Sequence, residues 1–592
     1  MSSDSLLAHA GQFTLLDWAV VIGYLAFTTI LGAKLAGKQA TIRDFFLGGR
    51  KLPWFAVSGS IIATEISAVT FVSVPFVVFA IGGNFTYLQL GLGTILARII
   101  IGYIFVPAFY EREIYSPYDY MGHWLGPRVK QVVTGLFIVG QLLGQGVRVY
   151  LTALVLEVVT DGRLNLHYSI WIIGVVAIVW TILGGIATVI WTDSLLFLLF
   201  FAGAVVSIGY VAHLVPGGWS EVFRLGSEAE KFRVFDFSLD PTLQFTFWAG
   251  IIASTWGSLN AYGTDQLIAQ RMFCCKGPRQ ARWAIIASST SLLVTLSVLM
   301  VGVGLFAYYH HFPLDATDAA RVAEKGDRIF PTFIVRVLPP GLTGLIVAAI
   351  FAAAISSLDS ILAALSQTFI SAFYRPFRRR RAGIVDIDSP ATPDEERRDV
   401  FVSRILIVFW GLALCGMAYV SIAASKRYND VLNLALSMAG YTGGAMLAGF
   451  MLAFLRVNVN DRGLLWSAPL SVVTVFAVAW NKAPADPALR QFGWADGVCY
   501  AAAGVFLALW TMLVIRDPRR GLLKTPWLVA GVGLMLVLHH FLRFPSPDGT
   551  HLLPPAWPWY IPIGSVVAFV FGYVLGDPRE RTGEALKRAH NT

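Results

Sequence analysis

Long apolar stretches recur from one end of this 592-residue chain to the other, and no other feature limits its fold so strongly. A helix needs about 20 mainly apolar residues to cross the hydrocarbon core of a bilayer. About fifteen candidate spans approach or exceed that length. They lie near 14–33, 53–82, 86–108, 131–159, 168–190, 193–215, 244–269, 284–309, 331–373, 402–424, 431–455, 464–480, 497–515, 525–542 and 557–576. The 331–373 run is longer than one crossing, so part of it should be a loop or a short external helix. Charged residues make up 14% of the chain and hydrophobic ones 56%, where soluble domains carry about 25% charged residues. An all-α polytopic membrane protein follows, and a soluble multidomain protein is excluded.

Lys and Arg in short loops mark the cytoplasmic side. No Lys or Arg precedes the first span, and Lys34, Lys38, Arg43, Arg50 and Lys51 follow it. Counting onward, the same side receives Arg271, Lys276, Arg279 and Arg282, then "RPFRRRR" at 375–381, "RDPRR" at 516–520, and a tail with Arg579, Arg581, Lys587 and Arg588. The N-terminus is therefore expected outside and the C-terminus in the cytoplasm, with a bacterial inner membrane as the setting. The net charge of +9 is mainly this topology signal and argues for no nucleic-acid role. The first apolar run has no basic leader and reads as a retained helix. Cys274, Cys275, Cys415 and Cys499 show no metal or disulfide spacing. The link at 374–400 mixes both charges and reads as solvated or disordered, while links near 216–243 and 310–330 have room for short external helices.

Two spans are interrupted. The second carries Gly59, Glu65, Ser67, Thr70 and Pro75; the seventh carries Gly250, Gly257, Asn260, Gly263 and Asp265. Glycines in such places can simply let helices pack closely. The matched spacing, five spans apart, also fits two inverted five-helix repeats whose first helices break at mid-membrane. A third feature is the stretch "AAAISSLDSILAALSQ" at 352–367. Ala353, Ser356, Ser357, Ser360, Ala364 and Gln367 share one helical face. Its hydroxyls can bond back to helix carbonyls, or they can serve as oxygen ligands for a small cation, for which sodium is the candidate.

"AAAISSLDS" resembles the sodium-site helix of the sodium/solute symporter family, which includes sodium–glucose, monocarboxylate, proline and sialic acid cotransporters. Three further blocks occur in the family's order: "DFFLGGRKLPWFAVSGSIIATEISAVTF" at 44–71, "GGIATVIWTD" at 184–193 and "GTDQLIAQRMF" at 263–273. The resemblance covers roughly 13–455. It implies a LeuT-like five-plus-five inverted-repeat core with one extra N-terminal helix and additional C-terminal helices. The segments would be 1–35 for the extra helix, 44–215 and 243–455 for the repeats, and 456–592 for the C-terminal helices and a short tail. It implies a sodium site made by the carbonyls of Ala63, Ile66 and Ala353 with the hydroxyls of Ser356 and Ser357. A second sodium, present in some members, would use Asp193, Ser356, Asp359 and Ser360; Asp193 can equally serve as a gate or cap, and Asp359 can bond a neighbouring helix.

For the solute, family positions imply Glu65, Thr70, Gln89, Asn260, Tyr262 and Asn433 as lining residues. Sugar-transporting relatives carry an acid in span three and a lysine in span eight. Here those features are Gln89 and no lysine in 284–309, which departs from a glucose carrier. Arg148 lies deep in span four, where an arginine is costly and faces a partner or a cavity. It either binds a substrate anion or pairs with Glu65, Glu157 or Asp193; Arg98 poses the same question. The reading is a sodium-coupled symporter importing a small organic solute such as a sugar, sugar acid or monocarboxylate, acting in the lipid bilayer without an obligate protein partner. A proton-coupled carrier relaying through Asp193 or Glu65 is one alternative and a transporter-like sensor another. An enzyme would need catalytic residues clustered at one depth, and His310/His311 and His539/His540 sit at helix ends without them.

Overall fold

The computed structural model describes residues 13–36, 47–111, 114, 116–183, 186–383, 392–426, 431–486, 490, 492–546 and 549–577. Lys38, Arg43 and the basic residues of the C-terminal tail lie outside them. Among the described residues, eleven helices are long and apolar enough to cross a membrane, or twelve if one bent pair counts as a span. Leu15–Leu31 and Leu166–Ile182 are shorter apolar helices.

The chain divides into two compact units. One comprises residues up to 115, 140–239 and 245–439; the other comprises 116–139, 240–244 and 440 onward. In the first unit, α1 (Leu15–Ala36) precedes the pair α2 (Trp54–Glu65) and α3 (Ala68–Phe79). Next comes α4 (Phe85–Tyr110). The short α5 (Pro117–Leu125) belongs to the second unit, and α6 (Pro127–Val159) enters the first from residue 140. Then come α7 (Leu166–Leu183) and α8 (Ile186–Leu214). This corrects the expected boundary between spans five and six: residues 186–193 begin α8, so Asp193 lies two turns inside a helix.

After the short amphipathic α9 (Gly218–Glu228), span seven is indeed interrupted. Residues 249–264, here α10, alternate π-helical, α-helical and π-helical turns, and Asp265 is extended before α11 (Gln266–Phe273). Glycine packs here as well as breaks: a Cβ on Gly93 would stand 2.3 Å from the Gly250 carbonyl oxygen, and one on Gly250 2.4 Å from that of Gln89. The helices α12 (Pro278–His311), α13 (Ala316–Glu324), α14 (Ile329–Arg336) and α15 (Leu342–Arg381) follow. The overlong 331–373 run thus resolves into a short helix and one long one.

Helix α16 (Pro393–Ser425) starts with a capping box between Thr392 and Glu395. Much of the 374–400 link is therefore ordered, not solvated coil. Arg375 holds Asp399 at 2.7 Å, and Arg378 and Arg379 both hold Glu395. Residues 384–391 lie outside the described set. Helix α17 (Val431–Phe454) begins in the first unit.

The second unit holds α18 (Asp461–Ala479), α19 (Trp494–Arg516), α20 (Pro518–Phe541) and α21 (Tyr560–Leu575). Leu470, Phe506, Met535 and Phe571 share its apolar core. Short strands β1 (Ala483–Pro484), β2 (Phe544–Pro545) and β3 (His551–Leu553) form an antiparallel sheet in the order β1–β3–β2.

Candidate ion and solute site

The break in span two begins with backbone chemistry. Ile66 has ψ 78° and Ser67 ψ 175°, both outside the helical range. Ser67 N–H donates to Glu65 O at 3.0 Å instead of reaching back to Ala63, so the Ala63 carbonyl loses its helical donor. Helices α2 and α3 meet at 55° across this break, with Ile66 buried. Half-helix ends and freed carbonyls at such a place form ion sites in membrane carriers.

Helix α15 packs on both halves of the broken span and on α8. Ala353 and Ser357 are buried on it, and Ser357 Oγ has no hydrogen-bond partner. A buried hydroxyl left unsatisfied costs about 1–3 kcal/mol, and Ser357 Oγ keeps its lone pairs available. Ser356 Oγ donates to Asp193. The face predicted from the serine spacing therefore does not simply bond back to its own helix; Ser366 does, to Leu362 O at 2.7 Å.

Asp193 is the centre of a sealed network. Its Oδ2 accepts from Ser60 Oγ at 2.6 Å and from Arg271 Nη2 at 3.1 Å. Arg271 also donates to Ser60 Oγ, to Ser360 Oγ at 2.7 Å, and to Leu267 O. Both charged side chains are fully removed from water. Of the residues grouped for a second sodium, Asp193, Ser356 and Ser360 thus meet, with a guanidinium already bridging Asp193 to Ser360. Asp359 stays outside the Arg271 bonds: it bonds Thr181 and lines a cavity of ≈ 30 Å³ with Tyr24, Thr28, Thr192 and Ser356.

Glu65 ends α2 and pairs with Arg98 of α4. The Arg98 guanidinium lies 4.6 Å from the Tyr262 ring and donates to Ser291 Oγ at 3.2 Å. Glu65 and Tyr262 are thus brought together. Gln89 is fully used by backbone: its Nε2 donates to Phe245 O at 2.9 Å and its Oε1 accepts from Asp236 N at 3.1 Å. Asn260 accepts from Thr264 within the π-helical turn. Thr70 and Asn433 are half-buried.

None of the three carboxylates considered as partners of Arg148 bonds it. Glu65 takes Arg98, Asp193 takes Arg271, and Glu157 takes Arg328 at 3.4 Å. Arg148 is half-buried and donates to Gln145 Oε1 at a long 3.3 Å. Gln145 Nε2 donates to Gln141 Oε1 at 3.0 Å, and Gln141 donates to Asp265, whose other oxygen caps α11 through Leu267 N–H. The sequence reading missed the roles of Arg271, Gln141 and Gln145. Arg271 read as a loop charge for topology; the signal against that was its place at the end of α11, all of whose eight residues are buried.

A model of the sodium:solute symporter family matches residues 45–471. Among similar proteins, sodium-coupled monocarboxylate transporter 2 of Homo sapiens is 28% identical over 478 residues, covering 79% of this chain and 73% of that one. The sodium/sialic acid symporter SiaT of Proteus mirabilis is 27% identical over 482 residues, covering 80% and 91%. A solved Na+-coupled sialic acid symporter in a substrate-bound outward-open state superimposes with a TM-score of 0.71 at 23% identity, over 96% of this chain and all of that one. The fold is that LeuT-like one.

Proposed function

The chain belongs to the sodium:solute symporter family and is a multi-pass, sodium-coupled symporter of small organic solutes rather than an enzyme; from this premise we propose that its cargo is an organic anion, a monocarboxylate or sugar acid, whose carboxylate binds Arg148. One observation carries the reading. Arg148 is the deep arginine whose bonding is loose, while Arg98, Arg271 and Arg328 are each spent on a carboxylate. A guanidinium with donors to spare matches a carboxylate in two-pronged geometry. Similar proteins named for monocarboxylates and for sialic acid fit the same chemistry.

The coupling sodium would bind the carbonyls of Ala63, Ile66 and Ala353 with Ser356 and Ser357; the unsatisfied Ser357 hydroxyl and the freed Ala63 carbonyl support this. One coupled sodium suits the geometry, because Arg271 stands between Asp193 and Ser360. The same pairing weighs against Asp193 as a proton relay. Sodium would order the α2–α3 break and raise solute affinity, and by linkage solute raises sodium affinity equally. Each inward sodium contributes about 2.3 kcal/mol per 100 mV. The loop charges favour the N-terminus outside and the C-terminus inside, in a plasma membrane for which a bacterial inner membrane is the proposed setting.

The test is uptake into proteoliposomes under an inward sodium gradient, with a panel of monocarboxylates, sialic acid and neutral sugars. We expect sodium-driven uptake of carboxylates, lost when Arg148→Gln is reconstituted. Uptake of a neutral sugar that ignores Arg148 would remove the proposal.

A further inference from the structure

Outside the transport site, a cluster of metal-binding side chains lies within the second unit. Asp496 sits in the first turn of α19, and His539 and His540 in the last turn of α20. One ligand atom from each lies within 4.8 Å of the others. His539 is fully buried. Its Nδ1 lies 2.8 Å from Ala477 O, near the end of α18, and its Nε2 lies 2.9 Å from Asp496 Oδ1. The second oxygen of Asp496 accepts from Gly493 N–H. His540 is exposed, its ring centre 4.9 Å from that of His539, and its Nε2 meets Tyr500 Oη at 2.8 Å. Arg543 is the nearby fixed positive charge facing Asp496 and His540.

The bonding of His539 poses a conflict. A backbone carbonyl only accepts, so Nδ1 must carry a proton. A carboxylate also only accepts, so a neutral imidazole would turn its Nε2 lone pair on Asp496. One shared proton can bridge Nε2 and Asp496 Oδ1, and so can a cation held between ring and carboxylate. A metal ion satisfies all three groups at once. The Nδ1–H contact to a carbonyl is the one that fixes a ligating histidine's orientation and leaves Nε2 for the metal. Tyr500 would hold His540 in the same supporting way.

We propose that Asp496, His539 and His540 form a binding site for a divalent transition-metal ion of the zinc class, clamping the start of α19 to the end of α20. Two imidazoles and one carboxylate are the donor set such an ion takes, with a fourth position left for water on the exposed His540 side. Ligands at about 2.0–2.2 Å in tetrahedral array stand roughly 3.3 Å apart, so the His539–Asp496 pair at 2.9 Å opens by ~0.4 Å and His540, within 4.8 Å, closes by up to ~1.5 Å. Arg543 opposes the ion's charge and keeps the site weaker than a closed structural one.

The experiment is zinc titration of tag-free, purified full-length protein by calorimetry, with cobalt absorption as a geometric readout and thermal unfolding as a second one. One saturable site per chain is expected, with a raised melting temperature in zinc. His540→Ala, an exposed position that should fold normally, should weaken binding at least ~10-fold and abolish the zinc-dependent shift. Asp496→Asn should do likewise. The double variant His310→Ala/His311→Ala should bind as the parent does. No saturable binding, or binding indifferent to both His540→Ala and Asp496→Asn, would overturn the site and leave His539 as an imidazolium bonded to Asp496.

Discussion

Arg271 and Arg148 both put a guanidinium among the transmembrane helices of the first unit, yet their surroundings differ. Arg271 is sealed from water, and its donors are met by Asp193, Ser60, Ser360 and Leu267 O. Three other elements converge on it from outside its own α11: α2, α8 and α15. Arg148 is half-buried, with one long bond to a glutamine and a chain of two amides leading to Asp265. A buried charge with four of its five N–H donors matched holds helices together. A half-buried charge with one long bond to an amide, and with the Asp265 carboxylate acting on it only through space, leaves an opening for a ligand of opposite sign. The same contrast appears between two serines one residue apart: Ser356 is tied to Asp193, while Ser357 has no partner.

Breaking the tight arginine should have the largest effect. Arg271→Met strands a carboxylate that has no access to water, a loss of about 3–5 kcal/mol. Thermal unfolding and yield in detergent should both fall, and adding Asp193→Asn should restore part of the loss. If Arg271→Met is as stable as the parent, the two arginines do not differ in kind.

Arg148→Gln should leave stability within about 1 kcal/mol and lower solute affinity. Losing a charged hydrogen bond worth about 1.5–3 kcal/mol corresponds to roughly 10–150-fold in the dissociation constant. Solute binding and unfolding measured on the same sample separate the two effects. A variant that unfolds but binds normally would make Arg148 a second Arg271.

Ser357→Ala sharpens the contrast at the sodium end. The sodium concentration for half-maximal uptake should rise about 5-fold, for a ligand worth about 1 kcal/mol. In sodium-free buffer the variant should be as stable as the parent or slightly more so, because an unsatisfied hydroxyl has been removed. Lower sodium-free stability with unchanged sodium activation would show that the hydroxyl serves packing alone.

The smallest effect belongs to Gln145→Ala. Its long bond to Arg148 orients the guanidinium without sharing charge, so solute affinity should fall about 2–3-fold, near 0.5 kcal/mol. An effect as large as that of Arg148→Gln would place the amide on the solute itself.

Periodicity made the serine face on α15 legible, because a helix fixes which side chains share a side. The break at Ile66–Ser67 was legible too, since polar residues inside an apolar run must serve some purpose in hydrocarbon. The long link at 374–400 misled, because a run of mixed charge looks like solvated coil until its arginines find Asp399 and Glu395. The bonds of Gln89 to Phe245 O and from Asp236 N were not legible, because they join residues about 150 apart in the chain.

By itself the sequence determined the solvent, the helical class and the family, all of which follow from composition, local periodicity and contiguous motifs. The tertiary structure decided the partners. Asp193 and Arg271 are 78 residues apart, and Glu65 and Arg98 are 33 apart. No local rule says which of several carboxylates a buried arginine will reach. Only the packing of α8 and α11 against α2 and α15 brings Asp193 Oδ2 to 3.1 Å from Arg271 Nη2 and leaves other carboxylates out of range. Charge pairing falls off steeply with distance and exposure, so that choice separates a helix clamp from a candidate solute site.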